Sequence, residues 1–140
     1  MYQTQIQKEE ARNNVIKWLM NYALDHQIGI TFSYAAKNDD PSEAFPEYST
    51  AVINANYKNI DEIPFIIAHE IGHLMLGHSK KKYYASPANK IRMERAANEY
   101  GLDLLTEYCD LNEIHFYNAY AFATAFGVPK DCYYLLDKAL

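Results

Sequence analysis

The chain has 140 residues, 49% of them apolar and 22% charged, with a formal net charge of -5. That length supports one domain with a modest core and is short for two. The composition excludes a disordered chain, the acidic balance argues against direct nucleic-acid binding, and no apolar run reaches the length of a membrane span.

A first helix is expected from Lys8 to about Gln27, with Ala11, Val15, Trp18, Leu19 and Tyr22 on its apolar face and Gly29 as its stop. Ile30 to Tyr34 is short, β-branched and aromatic, which predicts a strand. AKNDDPSEAFPEYS reads as a loop, with two prolines among acidic and small residues. Ala51 to Asn56 predicts a second strand. Because it directly precedes the next helix, it is expected at the rim of any cleft there.

Asn59 or Asp61 can cap that next helix, and Pro64 suits its first turn. It should run to about Leu76 and end near Gly77. The basic run Lys80, Lys81 and Lys82 reads as a solvated loop. Ser86 and Pro87 open another helix, which continues through NKIRMERAANEYGLDLLTEY. Asp110 and Glu113 have capping-box spacing before a fourth helix, which Gly127 ends. Pro129 can start a short last helix to Leu140. The expectation is a single α+β domain over residues 1–140, mostly helical with a small β-sheet.

Cys109 and Cys132 have neither metal-ligand spacing nor the look of a disulfide framework. MYQTQIQKEEARNN is too polar and acidic for a secretion signal. Both point to a reduced, cytoplasmic setting. The thirteen tyrosines read as half-buried packing residues.

The polar residues that ask for an explanation lie in IIAHEIGHLMLGH, Ile66 to His78. His69 and His73 are four apart on a helix, so both project from one face and can grip one zinc ion. Glu70 can reach a metal-bound water and take its proton. Gly72 costs about 1 kcal/mol against alanine in a helix, which predicts close approach by another element. A catalytic zinc usually takes three protein ligands. Four residues come into question for the third. His78 is five after His73, where the metzincin pattern wants six, and Leu76 stands in that pattern's glycine position. Glu94 shares a helix face with Asn98, Gly101 and Leu105, beside Ala97, and small residues there permit close helix contact. Glu99 faces away and can pair with Arg95, and Asp103 lies on that outer side. Glu94 is the better candidate. Asn98, one turn later, can orient a ligand or simply bond to backbone.

HEIGHLMLGH followed by ERAANEYGLDLL resembles the ImmA/IrrE family of small zinc metallopeptidases, the M78 peptidases. Their pattern is close to HExGHxxLGH, then ExxANxFAxxLL. The resemblance covers about Ile30 to Leu140 and implies a zincin-like, gluzincin-type fold. It carries the zinc ligands onto His69, His73 and Glu94, and the catalytic glutamate onto Glu70. It also implies a helix-turn-helix-like ending at about 111–140, expected to pack on the core or meet a protein. Zincins present an exposed sheet edge at the rim of the cleft, so the strand Ala51 to Asn56 is expected to offer that edge to an extended peptide. Two departures stand out. Tyr100 and Gly101 replace a common Phe-Ala, and no proline follows Leu104 and Leu105. For the group that steadies a tetrahedral oxyanion, Tyr57, Tyr83 and His78 stay open.

The implied activity is a one-zinc endopeptidase acting on a specific protein. Family members include enzymes of phages and mobile elements that cleave helix-turn-helix repressors, so a cytoplasmic regulator is the expected partner. The competing expectation is a sensor or anti-repressor that keeps zinc without cleaving. Glu70 favours the enzyme, since a structural zinc needs no base.

Overall fold

A computed structural model describes residues 4–136. Helix α1, Gln5–Asp25, begins earlier than expected because Thr4 and Gln7 form a reciprocal capping box. It buries Val15, Leu19 and Ala23. Ala11, expected on that face, is exposed, because the turns before Val15 carry no buried residue and overhang the core. Arg12 there reaches Asp61 at 3.1 Å.

The sheet has three strands: β1, Gly29–Ser33; β2, Glu43–Phe45; and β3, Thr50–Asn54, in the order β1-β3-β2. β3 runs parallel to β1 and antiparallel to β2, with Ala44 opposite Ala51. This corrects two expectations. β2 lies in the stretch read as a loop, since three residues beside prolines cannot show alternation and become a strand only by pairing with β3. β3 is consequently the central strand, and the edge it was expected to offer belongs to β2. Asn54 secures the connection. Buried to 2% exposure, it donates through Nδ2 to the carbonyls of Lys37 and Asp40, at 2.7 and 2.9 Å. Its own backbone N–H donates to Ser42 Oγ at 2.9 Å, just ahead of β2.

Asn59 caps a 3-10 turn, Ile60–Glu62, that leads into α2, Ile63–Met75, with Pro64 in its first turn. Gly77 follows in a left-handed conformation, φ 67°, and stops the helix. The lysine run is not a loop. Ser79 caps a single turn, α3, Lys80–Tyr83, too short to leave a periodic signal. Helix α4, Pro87–Leu111, starts from its Ser86 cap as expected. No proline follows the leucine pair, so it continues past Tyr108. Asp110 therefore lies inside α4, and the predicted capping box does not form. Glu113 adopts φ 54°, which no helix interior accepts. Asn118 instead caps α5, Ala119–Phe126, by accepting from the Ala121 N–H at 2.8 Å.

Gly127, φ 72°, ends α5 against the α2 lead-in, where a Cβ would collide with the Asp61 carbonyl. The last part, expected as a helix to Leu140, is a 3-10 stretch over Lys130–Leu135; residues 137–140 lie outside the described residues. Phe122, Phe126, Val128, Cys132 and Leu135 all join the core. The described part of the helix-turn-helix-like segment thus packs on the domain. Cys109 and Cys132 are buried free thiols, and burial raises both pKa values to about 11.

α2 is the hub. It contacts α1, α4, α5, β2 and β3, and its largest contact is with α4. Ile67, Ala68 and Ile71 are fully buried on it. A helix enclosed on so many sides carries polar groups only at a cost unless they are partnered. Among the described residues, no helix is long and apolar enough to cross a membrane.

Candidate metal centre

Two glycines let α2 and α4 cross closely. A Cβ on Gly72 would meet the Ala97 carbonyl oxygen and Tyr100 Cβ, each at 3.0 Å. A Cβ on Gly101 would meet the His69 backbone nitrogen at 3.2 Å. The close approach expected from Gly72 is present, and α4 supplies it. Gly101 is the reciprocal notch, and the fully buried Ala97 lies between.

At this crossing Glu94 reaches the histidine pair. Its Oε2 lies 2.8 Å from His73 Nε2 and 3.3 Å from His69 Nε2, and the two nitrogens are 3.1 Å apart. A tetrahedral zinc with bonds of about 2.0–2.1 Å separates its ligands by about 3.3–3.4 Å. The observed triangle is slightly tighter than that, and its two-imidazole, one-carboxylate chemistry suits zinc. His69, Glu70 and His73 also bring one donor atom each within 4.8 Å of one another. Two sets of three donors therefore share the histidines. Glu94 makes the tighter one, and Glu70 stands beside it.

Gathering these groups at one crossing shifts their charges. Burial disfavours a charged Glu94, but hydrogen bonds from His69 and His73 outweigh it and hold the carboxyl well below its usual range. Burial likewise opposes charge on His69, yet the Glu94 hydrogen bond and the nearby Glu70 and Glu94 charges raise its pKa. Glu70 moves oppositely, pushed up to about 7, chiefly by burial. A dication would favour the deprotonated ligands and reverse the histidine balance.

The chain matches the family described as peptidase M78, IrrE N-terminal-like domain, over residues 23–133. It belongs to that family. Comparisons with curated proteins and with solved structures find no match. The HExxH segment of this M78 chain lies on α2 of a helix-dominated fold with a small sheet, a zincin-like arrangement.

The other singled-out residues sort by position. Glu99 pairs with Arg95 at 2.9 Å, and Asp103 is exposed, so neither joins the M78 site. His78 lies just past α2 and touches the rear of His73, Nδ1 to Nδ1 at 2.9 Å. A proton between those nitrogens leaves His73 Nε2 as the donor atom facing Glu94. Sequence spacing placed His78 past the helix end but could not reveal this contact. Asn98 favours a protonated His69, yet His69 Nδ1 is buried with no hydrogen-bond partner at ordinary distance. Tyr100, a departure from the family pattern, meets the Tyr22 hydroxyl at 2.5 Å and ties α4 to α1.

A cleft of about 190 Å³ opens beside His73; His69 is not among its lining residues. Its floor includes Glu70, His73 and Glu94, with Glu43 and Ala44 of β2 on one wall and Lys80 and Tyr83 of α3 on the other. His78 and Tyr83 line it, whereas Tyr57 is not among its lining residues. Lys80 Nζ reaches Glu43 Oε2 at 2.7 Å and joins the two walls.

Proposed function

We propose that the chain is a zinc-dependent endopeptidase that hydrolyses peptide bonds in a specific protein. The observation that carries this reading is the meeting of Glu94 Oε2 with both histidine Nε2 atoms, at 2.8 and 3.3 Å, beside the buried Glu70. In this reading His69, His73 and Glu94 hold one Zn2+ ion, and Glu70 is the general base. Zinc, when bound, supplies Lewis acidity and lowers the pKa of its water to about 7.

The protein's own groups do the rest. Glu70 takes the proton of the attacking water and later gives it to the departing amine nitrogen. A carboxyl pushed up to about 7 is suited to both directions of transfer near neutral pH. β2 is an edge strand whose Glu43 and Ala44 line the cleft, so its backbone can pair with an extended peptide.

The substrate in this reading is a cytoplasmic transcriptional regulator, such as a helix-turn-helix repressor of a phage or mobile element. The family resemblance supports it, and so does the size of the site. A 190 Å³ cleft reads few side chains, so selectivity must come from docking, which raises the local concentration of one scissile segment. The test is to incubate zinc-loaded protein with regulators encoded near its gene and to identify new termini by mass spectrometry. Wild type should cut one of them, Glu70→Gln should not, and a chelator should stop the reaction. Stable binding of a regulator without cleavage would instead establish a sensor or anti-repressor.

A further inference from the structure

We propose that Tyr83 is a catalytic residue: its phenol, facing the cleft beside Glu94, donates a hydrogen bond to the scissile carbonyl oxygen as that oxygen becomes negatively charged. This rests on the peptidase reading above. In amide hydrolysis the water oxygen bonds to the carbonyl carbon while Glu70 takes the water's proton. The carbonyl π pair moves onto its oxygen. On collapse that pair re-forms the double bond, the C–N bond breaks, and the nitrogen leaves with the proton from Glu70. Between these events the oxygen carries a full charge, and a preorganised donor there lowers the barrier.

The cleft offers few donors for that task. His78 is tied through Nδ1 to the rear of His73, on the side away from the Glu94 contact, and only its Nε2 is left over. Lys80 is paired with Glu43. Tyr84 also lines the cleft but is 71% exposed, too loosely held to be preorganised. Tyr83 is different. It ends the α3 turn, its N–H donates to the Ser79 carbonyl at 3.0 Å, and its ring stands edge-on to His73 at 6.2 Å. Lys90 Nζ lies 5.8 Å from the centre of the same ring. Its hydroxyl is within hydrogen-bonding reach of the Glu94 carboxylate, so the phenol is already turned into the cleft as a donor. A carboxylate engaged by a cation is a poorer acceptor, so the phenol can exchange it for the developing oxyanion.

The rival role is mere support of Glu94, and the two differ in what they predict. The variant is Tyr83→Phe, which keeps the ring against His73. Zinc-loaded wild type and variant are titrated calorimetrically with phosphinic tetrapeptides, randomised at the flanking positions, which place an anionic tetrahedral centre at the scissile bond. Matching reduced-amide peptides, which lack that oxygen, serve as controls. The variant should retain its zinc and bind the reduced amides normally. It should bind the best phosphinic peptide at least tenfold more weakly, and its kcat should fall about 10²–10³-fold with little change in KM. Unchanged phosphinic binding in the variant overturns the assignment, and so does loss of zinc, which would make Tyr83 a support for Glu94. If zinc-loaded wild type neither binds a phosphinic peptide nor cuts a regulator, the peptidase reading itself fails and takes this proposal with it.

Discussion

A Cβ on Gly101 would lie 3.2 Å from the backbone nitrogen of His69. The neighbours at that point are backbone atoms of α2, which cannot swing aside as a side chain can. Glu94 meets the histidines only because α4 passes this close. Gly101→Leu should force the helices apart, cost about 1–3 kcal/mol of stability, and sharply reduce zinc retention. Gly101→Ala should do the same more mildly. Thermal unfolding and metal analysis measure both effects, and full zinc content in Gly101→Leu would refute the argument.

The ligand assignment separates two carboxylates on one helix. His69→Ala and His73→Ala should empty the site, and Glu94→Ala should weaken zinc binding strongly. Glu99→Ala should leave it full, since Glu99 only pairs with Arg95 on an exposed face. Mass spectrometry of protein purified without a metal-binding tag gives the answer. A site emptied by Glu99→Ala but full in Glu94→Ala would reverse the assignment.

Glu70 should leave a signature in the metal-free protein. Its folded pKa, about 7, stands above the ordinary carboxyl value of 4.5, so the folded state binds the extra proton between those values. Stability from this group is therefore present below about pH 4.5 and lost as pH rises through 7. At about 1.4 kcal/mol per pK unit, the loss reaches about 3 kcal/mol at most. Glu70→Gln has no such titration. Its melting temperature relative to wild type should rise between pH 5 and pH 8, and a constant difference would show that burial does not strain Glu70.

Substrate pairing should register on β2. In the Glu70→Gln variant, a trapped regulator should slow amide exchange at Glu43 to Phe45. β3 is already bonded on both sides and should change little. New protection confined to α5 and the segment after it would place the substrate elsewhere.

The Lys80–Glu43 pair spans the cleft that a peptide must enter. Both side chains are partly exposed, so the pair contributes at most about 1 kcal/mol to stability. Lys80→Met should melt within a few degrees of wild type yet show a lower KM, because substrate no longer has to displace the bridge. A raised KM would mean that Lys80 holds substrate instead.

What could be read in advance follows the range of each interaction. His69, Glu70 and His73 were legible because their geometry is local: four residues make a helical turn, and Pro64 and Gly77 mark the helix that carries them. The Ser86 cap and the Gly127 stop were legible for the same reason. Glu94 required one further step, a shared face with Gly101 and Ala97, together with the family resemblance. The Asp110 capping box failed although its spacing was right. α4 ran through it, and the start of the next helix passed to Asn118.

By itself, the sequence determined that a histidine pair with a glutamate between them lies on an apolar helix, and that small residues on the following helix can approach it. Tertiary structure alone decided that β2 is a strand and β3 the sheet's centre, because a three-residue strand exists only through hydrogen bonds to a partner. It alone set His78 behind His73 and Tyr83 beside Glu94. Those contacts depend on where the chain turns after α2, and a four-residue helix leaves no periodicity from which to read that turn.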